Sequence, residues 1–152
     1  MRAAAMALGV ALACAPLVSA PLAAEDLVVI VHPDRAHERL DADDVAQIYL
    51  KQRLRWRDGK TIVPVNREPE SDTRAAFARA VLELSPQQLS VHWNRQYFLG
   101  VRPPATLASD EAVKRFVARE KRAIGYVRAS AIDASVRVAL RLPERPSRSP
   151  RE

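Results

Sequence analysis

The stretch TIVPVNREPESDTRAAF, residues 61–77, sets the class of fold. Its first six residues are mostly apolar or β-branched and predict a strand, in which Pro64 indicates a strand end or an edge position. A polar loop follows, and Ser71 stands where the N-cap of a helix is expected. That helix has an apolar stripe at helical spacing, made of Phe77, Ala80, Val81 and Leu84. A strand that leads directly into a helix is typical of α/β proteins.

Similar units precede and follow this stretch. Residues 27–31, LVVIV, form a β-branched run that predicts a strand buried on both faces, as in a mixed or parallel sheet. N-cap candidates for three further helices are Asp41, Ser85 and Ser109. Residues 123–127 and the alternating residues 136–140 predict two more strands. The whole pattern predicts an α/β fold in which a small mixed sheet is flanked by about four helices.

The composition limits the classes of function. With 152 residues the chain is long enough for one domain with a core and too short for two. The 24 Lys and Arg residues outnumber the 18 Asp and Glu residues. The net charge of +6 suits anionic lipid, anionic polymers or small anions, or a solvated basic surface. The single cysteine excludes an intramolecular disulfide and a cysteine-based zinc site.

The N-terminus predicts export from the cytoplasm. Arg2 precedes the apolar or small residues 3–15, and further small residues lead up to Ala24. This layout predicts a cleaved signal peptide over residues 1–24, with a lipoprotein anchored through Cys14 as the alternative. We therefore expect a periplasmic or secreted protein with one domain over residues 25–142 and a disordered tail over residues 143–152. Export makes nucleic acid a poor candidate for a partner.

An oxyanion site is predicted where the strand of this first stretch gives way to the helix. The first backbone N–H groups of a helix, here those of Asp72 to Arg74, have no partner inside the helix, and the helix dipole adds positive charge there. A small oxyanion can accept hydrogen bonds from such donors. Ser71 and Thr73 add hydroxyl donors, and Arg67 adds a guanidinium fork.

The same residues also have an ordinary structural explanation. Ser71 can simply cap its own helix, since capping serines are far commoner than anion sites. Arg67 can pair with Glu68 or Glu70, which would leave its guanidinium occupied. Spacing alone favours this structural explanation over a binding site.

Other candidate sites are weaker. The basic stretch from Lys51 to Arg57 could contact nucleic acid or a membrane surface, but we favour Trp56 as an anchor for the loop, with the basic groups in solvent. The histidines, His32, His37 and His92, lack the spacing of a helical zinc site, so no metal is expected. No serine lies in the glycine pattern of a nucleophile elbow, so no enzyme is expected.

Three stretches, taken in order, resemble the phosphate-type substrate-binding proteins of bacterial ABC transporters, which have the type II periplasmic-binding-protein fold. Residues 44–51 and 56–59 (DVAQIYLK and WRDG) are similar to that family's I-(F/Y)-L-G-K…W-x-D-G segment. Arg67 followed by residues 71–77 is similar to its R-x-x-x-S-G-T…F anion loop. Residues 123–127, AIGYV, match its A-I-G-Y-V strand.

The resemblance implies one lobe of that fold, because the family's second lobe has no counterpart in this chain. It implies a solute-binding protein without a cofactor, and not an enzyme, that holds inorganic phosphate or a similar oxyanion weakly. Arg67, Ser71 and Thr73 would be the ligands, beside the backbone amides of Asp72 and Arg74. An ABC permease would be the partner, and a homodimer could complete the half-cleft.

Departures from the family pattern favour a second hypothesis. Asp72 replaces the glycine of S-G-T, and Glu68 and Glu70 add negative charge beside the proposed anion. On this hypothesis the domain has lost solute binding and is an interaction module. It would dock on an envelope protein through the basic residues 51–57 and the exposed half-cleft.

Overall fold

The structure, a computed structural model, describes residues 26–142. The expected signal peptide (residues 1–24, including Cys14) and the expected tail (residues 143–152) lie outside the described residues. The elements are β1 (Leu27–Val31), α1 (Ala42–Tyr49), β2 (Val63–Arg67), α2 (Asp72–Phe77), α3 (Pro86–Phe98), β3 (Ala105–Leu107), α4 (Asp110–Arg119), β4 (Ala123–Arg128) and β5 (Arg137–Leu142).

The strands form one five-stranded mixed sheet in the order β3-β2-β4-β1-β5. β2 runs parallel to β3 and β4, whereas β1 is antiparallel to β4 and β5. The expected small mixed sheet with about four helices is therefore confirmed. Within residues 26–142, every helix is too short or too polar to cross a bilayer.

The strand β1 is buried on both faces, as its continuous apolar run predicts. Val29 and Val31 pack with α1, α2 and the π-helical turn that follows α2, in one apolar cluster. Val28 and Ile30 pack with α4 in a second cluster on the opposite face of the sheet. Full burial stabilises each such side chain by about 1.5–3 kcal/mol, so β1 ties both layers of helices to the sheet.

The helices begin where the capping residues predict. The Asp41 side chain accepts from the backbone N–H of Asp44, which returns a hydrogen bond in a capping box. Ser85 forms the corresponding box with Gln88 at the start of α3, and Ser109 caps α4. The helix after Ser71 is divided: α2 ends at Phe77 and a π-helical turn over Ala78–Leu82 carries the chain onward.

Two features of the sheet differ from the pattern-based expectation. β3 was not predicted, because it has only three residues, two of them exposed, and shows no apolar run. β2 is an interior strand, so the edge position that Pro64 could indicate is wrong, whereas the alternative of a strand end holds, because Pro64 is the second residue of β2. Pairing with β3 begins only at Val65, so the missing N–H of Pro64 breaks no ladder bond on that side.

Gly125 lets α4 lie directly on the sheet. A Cβ atom at this position would lie 2.5 Å from Cγ1 of Val113. We expect Gly125→Ala to lower the free energy of unfolding by about 1–3 kcal/mol through overpacking, measured by urea denaturation. The double variant with Val113→Ala should recover part of the loss, whereas a single variant as stable as the wild type would contradict the close approach.

Candidate functional site

The carboxyl ends of three parallel strands meet at one edge of the sheet. β2 ends at Arg67, β3 at Leu107 and β4 at Arg128. Two helices begin close to this edge, α2 after β2 and α4 after β3. In open α/β sheets, ligands bind outside the carboxyl ends of the strands. The predicted oxyanion residues lie at this edge, which is therefore the candidate site.

The side chain of Arg67 is held by carboxylates of the chain itself. Its Nε donates to Glu68 at 3.1 Å and its Nη2 donates to the same carboxylate at 2.8 Å. Its Nη1 donates to Asp110, and Nη2 also reaches the carbonyl oxygen of Ala108 at 3.4 Å. A guanidinium has five N–H donors, so these four contacts leave one donor on Nη1. Arg67 therefore faces the site with its charge already paired.

A buried tyrosine positions the backbone of Arg67. The Tyr126 hydroxyl accepts from the Arg67 backbone N–H at 3.2 Å and donates to the Asn66 side chain. Burial raises the pKa of Tyr126 to about 12, so the hydroxyl stays protonated at neutral pH. Its ring stacks on Phe77 with centroids 3.8 Å apart. The core of the domain thus fixes the end of β2.

The start of α2 offers two backbone donors. The Ser71 side chain accepts from the Arg74 N–H at 3.4 Å, so it acts as the N-cap. Within residues 26–142 no acceptor is found for the backbone N–H groups of Asp72 and Thr73. The Asp72 side chain is exposed, whereas Thr73 is 4% exposed. These two amides are the donors that a small oxyanion would use.

Two further arginines lie beside this helix start. Nη1 of Arg74 donates to the carbonyl oxygen of Arg67 at 3.0 Å, which folds its guanidinium back over the loop. Nε of Arg128 donates to Oγ1 of Thr73 at 3.2 Å, and the Arg128 backbone N–H donates to Asp110 at 3.0 Å. Asp110 therefore joins the ends of β2 and β4 through one carboxylate.

The charges at this edge nearly balance. Hydrogen bonds from Arg67 hold the pKa of Glu68 below its ordinary value, so Glu68 is ionised at neutral pH. The cations of the edge are Arg67, Arg74 and Arg128, and the carboxylates are Glu68, Asp72 and Asp110. An incoming anion would meet little net positive charge unless one of the carboxylates moved away.

The sequence predicted some of these residues and missed others. Ser71, Asp72, Thr73 and Arg74 lie at the start of α2, and Arg67 lies at the end of the preceding strand β2. The contacts of the ordinary structural explanation are also present: Ser71 caps its helix, and Arg67 pairs with Glu68. Glu70, the other acid named as a partner for Arg67, is exposed. The oxyanion assignment of these residues stays a prediction.

Asp110 and Arg128 were missed. Asp110 reads in the sequence as an ordinary first-turn acid after the N-cap Ser109, and Arg128 as the polar end of a strand. The contacts of Asp110 with Arg67 and with the backbone of Arg128 depend on the parallel pairing of β2 with its neighbours, which no local pattern contains.

The basic segment over residues 51–57 is anchored as expected. Trp56 is 2% exposed and its Nε1 donates to the carbonyl oxygen of Arg122 at 3.0 Å. Arg55 and Arg57 are exposed. Within residues 26–142 no group of three or more His, Cys, Asp or Glu residues is placed to hold a metal ion.

Comparisons with known proteins agree with this fold. The family model described as a PBP superfamily domain matches residues 10–142. An ABC-type phosphate transport receptor from Vibrio cholerae is similar with a TM-score of 0.61 and 20% identity, over 75% of this chain and 45% of that chain. A putative phosphate ABC transporter substrate-binding protein with bound phosphate, from Clostridium perfringens, is similar with a TM-score of 0.56 and 24% identity, over 75% of this chain and 44% of that chain.

A third solved structure, PstS from Borrelia burgdorferi, gives a TM-score of 0.58 and 14% identity over 75% of this chain and 46% of that chain. No curated protein matches the chain in sequence. The chain spans less than half the length of these three solved proteins, which agrees with the expected single lobe. The resemblance read from the three motifs is confirmed for the family and the fold, and the chain belongs to the PBP superfamily.

Proposed function

We propose that this chain is an exported solute-binding protein that holds a small oxyanion, inorganic phosphate first, weakly at the start of α2. The membership of a family of substrate-binding proteins supports a binding role rather than a catalytic one. The proteins similar in fold include one with bound phosphate, which supports phosphate as the first ligand to test.

The observation that carries the proposal is the meeting of donors at the carboxyl edge of the parallel strands. The backbone N–H groups of Asp72 and Thr73 have no acceptor within residues 26–142. Close to them, β2 ends at Arg67 and β4 ends at Arg128. Backbone donors at a helix start, next to guanidinium groups, suit the oxygens of a phosphate.

The affinity should be low for two reasons. Glu68 and Asp110 already occupy most donors of Arg67, so a phosphate has to compete with them. A single lobe also covers only one side of a ligand, whereas buried ligands lose most of their surface to the protein. A dissociation constant on the order of 1 mM, about 4 kcal/mol of binding free energy, is the expected range. An ABC permease as the partner, and a homodimer that closes the cleft, stay predictions.

Calorimetry with inorganic phosphate tests the proposal. We expect heat of binding at millimolar phosphate, and we expect Arg67→Ala to weaken binding more than about fivefold. Arg57→Ala removes the same charge from an exposed loop and should bind like the wild type. Absence of heat at millimolar phosphate, or equal binding by Arg67→Ala, would refute the oxyanion site.

The docking module is the second candidate, and the pairing of Arg67 with Glu68 and Asp110 is the observation that favours it. Because Arg67 is paired with two carboxylates of the chain, its charge stabilises the fold and needs no ligand. Pull-down from an envelope fraction, with the wild type and with a variant of the exposed Arg55 and Arg57, separates the two candidates. The docking hypothesis predicts that the wild type captures an envelope protein and that the variant does not. It also predicts no heat of binding when phosphate is added to the wild type in the calorimeter.

A further inference from the structure

The helix α3 is packed less tightly than the other helices of residues 26–142. None of its residues is buried, whereas α1, α2 and α4 each bury at least two side chains. At its C-terminal end three consecutive apolar side chains face solvent: Tyr97 is 72% exposed, Phe98 87% and Leu99 70%. We call these three residues the α3 tip.

The arrangement of the α3 tip limits what can cover it. Successive residues of a helix point about 100° apart, so three consecutive side chains span about 200°, slightly more than half of the circumference. The rings of Tyr97 and Phe98 are accordingly 6.3 Å apart and 75° inclined to each other. A flat protein surface contacts one face of a helix and would leave part of the tip in water. Surroundings that close around the tip, such as the fluid interface of a bilayer, can bury all three.

The charges near the α3 tip favour an anionic occupant. The stretch over residues 84–109 has no Asp or Glu, and its charged residues are Arg95 and Arg102. Both arginines are exposed. Arginines beside aromatic side chains are typical of segments that lie at a bilayer surface, where anionic headgroups attract the cations.

A second copy of the chain is a poorer occupant. An apolar groove of about 760 Å³ lies beside α3 and could accept the tip of another copy. Arg74 and Arg79 line that groove, with Glu83 as its acidic residue. Docking would therefore bring Arg95 and Arg102 of one copy near two arginines of the other. Repulsion between these like charges opposes self-association.

We propose that the α3 tip inserts into the surface of a bilayer that contains anionic phospholipid, while Arg95 and Arg102 lie at the level of the headgroups. The binding is peripheral and reversible, because three side chains bury far less apolar surface than a membrane-spanning helix does. This property is separate from oxyanion binding at the start of α2, which uses none of these residues.

Vesicle co-sedimentation tests the proposal. The sample is the protein as purified after expression of the full sequence. The probes are neutral vesicles of phosphatidylcholine alone and anionic vesicles of phosphatidylcholine with roughly 30% phosphatidylglycerol, a charge density close to that of biological membranes. We expect the wild type to bind the anionic vesicles. Each of the variants Arg95→Gln and Arg102→Gln should bind them about fivefold more weakly than the wild type. The variant with Tyr97→Ser, Phe98→Ser and Leu99→Ser should bind at least about fivefold less.

A matched control carries Leu54→Ser and Val91→Ser, which remove exposed apolar side chains away from the tip, and should bind like the wild type. Circular dichroism checks that each variant is folded, as expected for side chains that are mostly in solvent. Equal binding by the tip variant would overturn the proposal, and so would equal binding to neutral vesicles. Self-association of the wild type without vesicles, abolished in the tip variant, would assign the tip to a second copy instead.

Discussion

Replacing Arg35 with alanine is expected to lower the free energy of unfolding by about 3–5 kcal/mol. Arg35 is 4% exposed and its guanidinium lies over the ring of Trp56, 4.6 Å from the ring centroid. Its Nε donates to the carbonyl oxygen of Lys121, and its Nη2 donates to Asp58 at 3.3 Å. The side chain thus joins the 51–60 loop to the approach of β4, and its removal disconnects both.

The largest part of the loss comes from Glu38. Its side chain is fully buried, and Arg35 Nη1 lies 3.5 Å from its Oε1. The other oxygen, Oε2, has no hydrogen-bond partner within residues 26–142. Without Arg35, the only basic side chain that the described part of the chain, residues 26–142, leaves beside this buried carboxylate is the exposed His37, at 3.8 Å. An uncompensated buried charge is among the most destabilising changes in a protein core.

Urea denaturation of two variants measures this effect. The double variant Arg35→Met with Glu38→Met removes both charges and should recover at least about half of the loss, because well-packed apolar residues can replace a buried ion pair. Loss of less than about 1 kcal/mol in Arg35→Ala would mean that Glu38 is compensated in another way. A double variant no more stable than the single one would place the effect in the contacts to Trp56 and Lys121 instead.

Local patterns in the sequence were enough to predict every strand and helix except the short strand β3. The residues 27–31 gave a buried strand because every side chain is apolar and β-branched or leucine, and such a run has to be covered on both faces. Asp41, Ser71, Ser85 and Ser109 marked helix starts because a side-chain acceptor is needed where backbone N–H groups lack partners. β3 carries no such signal, since most of its three residues face solvent.

The contacts of the site were not predictable in the same way. Ser71 and Arg67 were found because a strand leads into a capped helix within a few residues. Asp110 lies 43 residues from Arg67, and only the parallel pairing of β2 with β3 brings α4 close enough for the contact. Such pairings depend on the whole sheet and leave no periodic trace in the chain. The competition between an internal carboxylate and a ligand is therefore visible only in the structure.

Asp110→Asn is expected to tighten phosphate binding by at least about tenfold, which corresponds to about 1.4 kcal/mol. Asparagine keeps the size of the side chain and can still accept from Arg67 or from the Arg128 backbone N–H. The negative charge is lost, however, and with it the repulsion of an incoming anion. At ~4 Å and an effective dielectric near 20 this repulsion is about 4 kcal/mol, and solvent and salt screen a large share of it.

Calorimetry of Asp110→Asn beside Glu111→Gln isolates the effect. Glu111 is the next residue of α4, is exposed, and pairs with Lys114 away from Arg67, so its neutralisation changes the net charge equally without touching the site. We expect Glu111→Gln to bind phosphate within about twofold of the wild type, since exposed charges are strongly screened. If Asp110→Asn bound no more tightly than Glu111→Gln, then Asp110 would not compete with the ligand. Arg67 would then be a cation that holds β2 to α4, and the start of α2 would serve the fold of the lobe rather than phosphate.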